Sequence, residues 1–205
     1  MFDAFHQKFR RDRGMDAAPS ELEDPFISNE HTALRQHDIL GKSFNGGLYR
    51  TFRTEQIAKW TATIEAIFVD FKGRASCFGY DWLGRVFALD GARQNQGERE
   101  VLMFDPGTGD ALEIPGNIVA FHNHILVEMG EAALSEPGFY SWLDAGRTPL
   151  RPSQCVGYTT PLFLGGNVAP DNLETTDMDV YWHLTGQLIA QLRGVADGTP
   201  VEIVR

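Results

Sequence analysis

Residues 75–114 read ASCFGYDWLGRVFALDGARQNQGEREVLMFDPGTGDALEI, and this stretch decides the fold class. Its short apolar runs are separated by turns that contain Gly, Pro or Asp. The runs cover residues 75–82, 85–89, 100–104 and 111–114. Strands joined by such short turns pair antiparallel, because parallel neighbours need crossover connections of about a dozen residues or more. The stretch therefore predicts an antiparallel meander, with residues 90–97 as a polar loop between its second and third strands.

Helical periodicity is found on both sides of the meander. Before it, apolar residues three or four positions apart predict a helix from Glu55 to about Phe71, with Thr54 as its N-cap. After it, similar spacing predicts helices over 118–133 and 135–143, followed by a β-rich run at 156–164.

The last helix is predicted to begin at Asp177, because a carboxylate at the N-cap position accepts hydrogen bonds from the first turn. We expect its apolar residues to face the core; these are Val180, Tyr181, Leu184, Leu188 and Leu192. Taken together, the elements indicate an α+β protein in which an antiparallel, meander-rich sheet is flanked by several helices.

The two ends of the sequence differ from the middle. Phe2, Phe5 and Phe9 recur at helical spacing and predict a short amphipathic helix. Residues 20–25, SELEDP, are acidic and contain proline, which predicts a loop or linker. Near the other end, residues 201–204 predict a final edge strand.

The composition is that of an ordinary globular protein. The chain has 205 residues, of which 42% are hydrophobic and 22% charged, so a disordered chain is excluded. No apolar run approaches the roughly 20 residues that a membrane helix requires, and we expect no membrane association. Its two cysteines, Cys77 and Cys155, lie in apolar strand-like runs, which favours buried, reduced thiols in a cytoplasmic protein.

The net charge of −10 is confined to the second half of the sequence. Residues 1–99 contain fourteen Lys or Arg and fourteen Asp or Glu, whereas residues 100–205 contain four Arg and fourteen acids, a balance of 4 − 14 = −10. Such a surface repels phosphate backbones and attracts basic partners. We therefore expect no direct binding of nucleic acid. Plain solubility is the alternative explanation of the acidity.

No arrangement of residues in the sequence is typical of catalysis. His122 and His124 are two positions apart, so on a helix they point to different faces and do not form a metal-binding pair. The glycine-rich segment 105–110 lacks the lysine of a phosphate-binding loop and is interpreted as a turn. The sequence predicts no catalytic residue, metal ligand or cofactor. The tryptophans are expected in the core; they are Trp60, Trp82, Trp142 and Trp182.

Several blocks of sequence resemble, in their order, the Tdi-type immunity proteins of bacterial type VI secretion. They span roughly residues 44–190. The blocks are Gly46-Gly-Leu-Tyr-Arg50, Tyr80-Asp-Trp-Leu-Gly-Arg85, Pro106-Gly-Thr-Gly109, Gln154-Cys-Val-Gly-Tyr158, Pro161-Leu-Phe-Leu-Gly-Gly166, Asn172-Leu-Glu174 and Val180-Tyr-Trp182. The glycines and aromatics of these blocks, such as Gly84 and Trp182, are interpreted as architectural.

The resemblance implies a protein made beside a toxin and bound to it in the cytoplasm of the producing cell. In the best-known branch of the family the toxin is a DNase. The implied layout is an N-terminal helix and linker over residues 1–40, a GAD-like region with the sheet over 41–115, and a Tdi-type C-terminal region over 116–205. Because the connections are short, we expect the last two regions to share one core and a continuous sheet.

Charge and resemblance together suggest how such a toxin is neutralised. A nuclease carries a basic surface for its polyanionic substrate, and an acidic protein would cover that surface by stoichiometric occlusion. Binding away from the active site, with distortion of it, is an alternative mode of inhibition. The expected toxin contacts are exposed acids, namely Glu128, Glu131, Asp171, Glu174, Asp177 and Asp179. The last four also fit an alternative role as the capped start of a helix.

Two other functions stay open on the sequence alone. One is a non-catalytic cytosolic binding or regulatory module of the same fold. The other is a hydrolase or metal enzyme built around His122, His124 or His183.

Overall fold

The main sheet has six antiparallel strands that are neighbours in the order in which they occur in the chain. The computed structural model describes residues 1–13 and 27–195. The strands are β1 Ser43–Phe44, β2 Tyr49–Thr51, β3 Ala75–Asp81, β4 Val86–Asn95, β5 Glu98–Phe104 and β6 Ala111–Ile114. This order confirms the predicted meander. The linker predicted at 20–25 and the strand predicted at 201–204 lie outside the described residues.

The predicted polar loop at 90–97 is wrong, because most of it is strand. β4 continues to Asn95 and β5 begins at Glu98, so the connection is the two-residue turn Gln96-Gly97. Both turn residues have positive φ, as hairpin turns of this length require. The end of the hairpin projects beyond the core, and its side chains are therefore polar although its backbone is paired.

The helix predicted from Glu55 to Phe71 is α3, Thr54–Ile67, and it ends earlier than expected. A separate 3₁₀ turn, Val69–Phe71, completes the segment. The N-cap position belongs to Arg53 rather than to Thr54. The Gln56 side chain accepts a hydrogen bond from the Arg53 backbone N–H at 3.0 Å, which fixes the start of the helix one residue earlier.

Two helices precede the sheet. The predicted N-terminal helix is α1, Asp3–Lys8, and it buries Phe2, Phe5 and Phe9. The second, α2 Asn29–Gln36, was not predicted. Its N-cap is Ser28, and His31 takes the place that Glu or Gln usually holds in a capping box, so the sequence signal is weak.

Helices and a second, smaller sheet form the rest of the described chain. A continuous helix comprises α4 Ile118–Ala120, a π-helical turn Phe121–Ile125 and α5 Leu126–Glu128. The remaining elements are α6 Gly130–Leu134, α7 Glu136–Asp144, β7 Gln154–Tyr158, β8 Leu173–Asp177 and α8 Met178–Leu192. Asp177 is the N-cap of α8, as predicted.

The expectation of one continuous sheet is wrong. β7 and β8 pair only with each other, as an antiparallel two-stranded sheet. The predicted run 156–164 ends as a strand at Tyr158, and β8 was not predicted because its sequence, LETTD, is polar and mostly exposed. The buried side chains of both regions nevertheless form one cluster, which includes the four predicted core tryptophans.

The turn between β3 and β4 is organised by a buried carboxylate. Asp81 accepts hydrogen bonds from the backbone N–H groups of Leu83 and Arg85, each at 3.0 Å. It also pairs with the Arg85 guanidinium, whose Nε lies 2.6 Å from Asp81 Oδ2. A buried charge is tolerated only with such partners, so these contacts fix the conformation of the turn.

This turn, residues 81–85, joins the main sheet to the C-terminal elements. Trp82 Nε1 donates to the Leu134 carbonyl of α6 at 2.7 Å, and the Trp82 carbonyl accepts from Val156 of β7 at 2.7 Å. Trp182 of α8 donates from Nε1 to the Gly84 carbonyl at 2.8 Å. A single short turn is thus hydrogen-bonded to three separate elements, α6, β7 and α8.

Arg50 of β2 makes a second connection. Its guanidinium donates to the carbonyl groups of Arg151 and Gln154, ahead of and within β7, and lies over the Tyr80 ring. The side chain is only 1% exposed, and within the described residues it forms no ion pair with a carboxylate. Main-chain carbonyl groups of β7 therefore provide much of the solvation that the buried cation has lost.

The core beneath α1 contains a buried histidine. His122 lies in the π-helical turn, and its Nδ1 is 2.8 Å from the Ile118 carbonyl, so Nδ1 carries the proton and donates. Nε2 then accepts from the Tyr49 hydroxyl at 2.9 Å. Burial lowers the pKa of His122 to about 4, because the charged imidazolium would lose its hydration there and the hydrogen bond to the Ile118 carbonyl offsets only part of that loss.

We predict that Gly84→Ala destabilises the protein by about 1–3 kcal/mol more than Gly97→Ala. Both glycines have positive φ, at 77° and 84°, so both substitutions carry the same backbone strain of roughly 1 kcal/mol. Only at Gly84 would the new Cβ meet a neighbour, Cys155 Sγ at 3.1 Å. Urea unfolding of the two variants measures the difference, and equal stabilities would contradict the close packing of the turn on β7.

We predict that acid destabilises the protein partly through His122. Its pKa is about 4 when folded and about 6.5 when unfolded, so the unfolded chain binds an extra proton between these values. The contribution of His122 to the free energy of unfolding is about 3 kcal/mol. It is fully present above pH 6.5 and is lost as the pH falls to 4. Urea unfolding at several pH values between 4.5 and 6 gives the free energy of unfolding as a function of pH. This free energy should rise with pH less steeply in His122→Gln than in the wild type, by up to roughly 1.4 kcal/mol per pH unit. An unchanged slope would exclude this contribution.

Candidate interaction surface

The six acids predicted to contact a toxin are all exposed, but they belong to two groups. Glu128 ends α5 and Glu131 begins α6, in the helical part that packs beside α1. The other group follows the chain through β8 into α8; it consists of Asp171, Glu174, Asp177 and Asp179. The sequence did not show that the six acids lie on two different sets of elements, and their role as toxin contacts stays a prediction.

Two acids of the second group have structural roles. The Asp177 carboxylate accepts from the backbone N–H groups of Asp179 and Val180, which caps α8. Asp179 pairs with Lys59 of α3 at 2.6 Å across the surface. The proposed role of this segment as a capped helix start is thus confirmed for Asp177.

The remaining acids differ in whether their carboxylates already contact another group of the protein. Glu128 lies 3.3 Å from His124 on the same helix. In residues 1–13 and 27–195, the side chains of Glu131, Asp171 and Glu174 form no hydrogen bond or ion pair. A partner could meet these three without breaking a native contact.

A surface groove of about 720 Å³ lies between α3 and α8, and Asp179 is the one acid among the described residues that line it. Val180 and Leu184 of α8 line it and are 52% and 55% exposed. Lys59, Thr63 and Ala66 of α3 line the opposite side. The groove therefore combines apolar side chains with polar ones and with the ion pair of Lys59 and Asp179. We call it the α3–α8 groove.

The predicted apolar face of α8 is wrong at Val180 and Leu184, which are exposed. Tyr181 is buried as predicted, and the helix also buries Trp182, together with Thr185 and Gly186 one turn later. The signal that could have revealed this face is Gly186 itself. A Cβ at Gly186 would lie 2.5 Å from Ile67 Cδ1 of α3, so the helices approach closely only because this residue lacks a side chain.

The three histidines considered for an enzymatic function lie in different settings. His122 is buried in the core, whereas His124 and His183 are exposed and contact Glu128 and Gln187. No group of three or more potential metal ligands occurs in the described part of the chain. None of its helices is both long and apolar enough to span a membrane.

The cysteines are enclosed, as predicted. Cys77 and Cys155 are both free thiols in the core. Burial raises the pKa of each thiol to about 12, because the thiolate would lose its hydration there. Neither is therefore a ready nucleophile at neutral pH.

Comparison with a solved structure places the fold among known ones. The crystal structure of Atu4351 from Agrobacterium tumefaciens is similar with a TM-score of 0.63 and 15% sequence identity. The similarity covers 91% of this chain and 89% of that chain. At this identity the likeness establishes a shared fold alone. No curated protein matches the sequence.

A family model also matches part of the chain. It is that of the type VI secretion immunity protein Tdi1, C-terminal, and it covers residues 132–189. The matched segment runs from within α6 to Ile189 of α8 and so includes one wall of the α3–α8 groove. The match confirms the resemblance drawn from the sequence blocks: residues 132–189 are similar to the C-terminal part of the type VI secretion immunity protein Tdi1.

Proposed function

We propose that this protein binds and neutralises a cognate effector toxin of type VI secretion in the cytoplasm of the cell that makes both. The observation that carries this proposal is the Tdi1-type segment at residues 132–189. An immunity protein acts by binding, so the proposed role requires one partner and no catalysis. We accordingly propose that the protein is not an enzyme and needs no cofactor.

The effector that fits best is a nuclease, most simply a DNase. Residues 100–205 carry a balance of 4 − 14 = −10, whereas a nuclease needs a basic surface for its substrate. Opposite charges accelerate association by steering the two proteins together. Coverage of the basic surface by this acidic half would exclude DNA in a stoichiometric complex. We therefore propose occlusion as the mode of inhibition.

The test of immunity is a rescue experiment. The product of the adjacent candidate effector gene is expressed in a bacterium with and without this protein, and viability and genomic DNA integrity are followed. We expect cell death with DNA degradation, both abolished by co-expression. Death without DNA loss that is still rescued would retain immunity and exclude a DNase. Toxicity without rescue would contradict the proposal.

We predict that charge reversal of exposed acids slows association with the effector. Three double variants each change the net charge by +4: Asp171→Lys with Glu174→Lys, Glu128→Lys with Glu131→Lys, and the control Asp3→Lys with Asp144→Lys. All six side chains are exposed. Reversal at a contact surface should reduce the association rate about tenfold or more at low salt and much less at high salt.

The control variant distinguishes the effect of a lost contact on the association rate from the effect of the changed net charge. Stopped-flow association with the purified effector measures all three variants at two salt concentrations. Equal slowing in the three would show that only net charge matters, and no slowing in either of the first two would overturn the role of the acids. Asp177 is left intact because its substitution would remove the cap of α8.

A further inference from the structure

We propose that the outer edge of β8 is the effector docking site and that it pairs with an extended segment of the effector, with a Lys or Arg opposite Glu174. This inference rests on the proposed function and adds to it a location and a mode of binding. The edge of a sheet presents backbone donors and acceptors that another extended chain can satisfy by adding a strand.

The pairing of β7 with β8 shows which backbone groups of β8 point outward. The Val156 N–H donates to the Trp82 carbonyl at 2.7 Å, so it points away from β8. Val156 lies opposite Thr175, and two opposite residues of an antiparallel pair either exchange both hydrogen bonds or exchange none. The N–H and C=O groups of Thr175 therefore lie on the outer edge. Because this alternation has a period of two residues, those of Leu173 and Asp177 lie there as well.

Four of these outward groups have no hydrogen-bond partner in the part of the chain that the structure describes. They are the Leu173 C=O, the N–H and C=O of Thr175, and the Asp177 N–H. The Leu173 N–H already donates to the Pro170 carbonyl, and the Asp177 C=O begins α8 as that of its N-cap. An antiparallel strand would form two hydrogen bonds opposite Thr175 and one on either side of it.

The charge of this edge selects a basic segment. No Lys or Arg occurs in the sequence between Arg151 and Arg193, whereas β8 itself carries Glu174 and Asp177. The Cβ atoms of opposite residues on neighbouring strands are about 5 Å apart, so a Lys or Arg opposite Glu174 would reach its carboxylate. A nuclease with a basic surface has the complementary charge. β8 also lies within residues 132–189, the segment similar to Tdi1.

The edge of the main sheet at β6 provides a matched control. β6 pairs with β5 on one side only. The Asp105 N–H donates to the Asp110 carbonyl at 2.9 Å, so by the same alternation Ala111 and Glu113 direct their backbone groups outward. The charge of this edge is already compensated, because Glu113 pairs with Arg74 at 2.9 Å. We therefore expect the effector to pair with β8 and not with β6.

The first experiment follows amide hydrogen exchange of the wild type by NMR, free and bound to the purified effector of the rescue experiment. The Thr175 and Asp177 amides should exchange rapidly in the free protein. In the complex they should exchange at least about tenfold more slowly, because they become donors to the added strand. The Ala111 and Glu113 amides should keep their rates. Unchanged rates at Thr175 and Asp177 in the complex would overturn the inference.

The second experiment blocks the edge with proline and measures effector affinity by calorimetry. Thr175→Pro removes one outward N–H and places a ring on the outer edge, but it leaves the pairing with β7 intact, because proline is accepted where the N–H faces solvent. It should weaken binding about tenfold or more. The control Ala111→Pro on β6 should bind within about threefold of the wild type. Thermal unfolding reports whether both variants fold, and if Thr175→Pro does not, the exchange experiment on the wild type decides alone.

The outcomes separate the docking site from the function. Wild-type affinity in folded Thr175→Pro, or equal protection of the β6 amides, would overturn the docking site and leave immunity intact. Absence of wild-type binding to the toxic effector would overturn the proposed function and the docking site together. A dimer of the free protein in which the Thr175 and Asp177 amides are already protected would show that a second copy occupies the edge, and would also overturn the inference.

Discussion

The buried carboxylate of Asp81 is the group on which the rest of the structure depends. Its Oδ1 accepts hydrogen bonds from the backbone N–H groups of Leu83 and Arg85, and the Arg85 guanidinium compensates the negative charge of the carboxylate. This arrangement turns the chain from β3 into β4 and at the same time fixes the directions of Trp82 and of the Gly84 carbonyl. Arg85 extends the same network by donating to the Ala133 carbonyl of α6 at 3.1 Å. The C-terminal elements are therefore assembled on a turn of the main sheet.

The segment matched by the Tdi1 model, residues 132–189, consequently depends on the main sheet for its structure. The two strands β7 and β8 form a small sheet. The Leu134 carbonyl at the end of α6 accepts a hydrogen bond from Trp82, and the Trp182 indole of α8 donates one to the Gly84 carbonyl. Arg50 adds carbonyl contacts to residues 151 and 154. A two-stranded sheet is at best marginally stable alone, so the stability of this segment depends on its contacts with the meander. The groove illustrates this, since its α3 wall precedes the matched segment in the chain.

The sequence predicted those features that depend on the local periodicity of apolar residues. Apolar runs between turns gave the meander, and Asp177 gave the start of α8. α2 and β8 were not predicted because most of their side chains are polar, so neither shows a strong hydrophobic pattern. The face of α8 was misassigned because Val180 and Leu184 are as apolar as core residues; their exposure depends on which side of the helix meets α3. Lys59 and Asp179 are 120 positions apart, and no local pattern could have brought them together.

The packing of α1 bears on how the chain acquires its structure during synthesis. The backbone N–H of Phe5 donates to the Asn123 side chain, a contact between residues 118 positions apart. Phe2 and Phe5 also lie edge-on to the His122 ring. Phe2 and Phe5 are therefore synthesised well before the residues of the π-helical turn on which they pack. Contacts between such distant residues slow folding, and apolar side chains that are exposed before these contacts form favour aggregation.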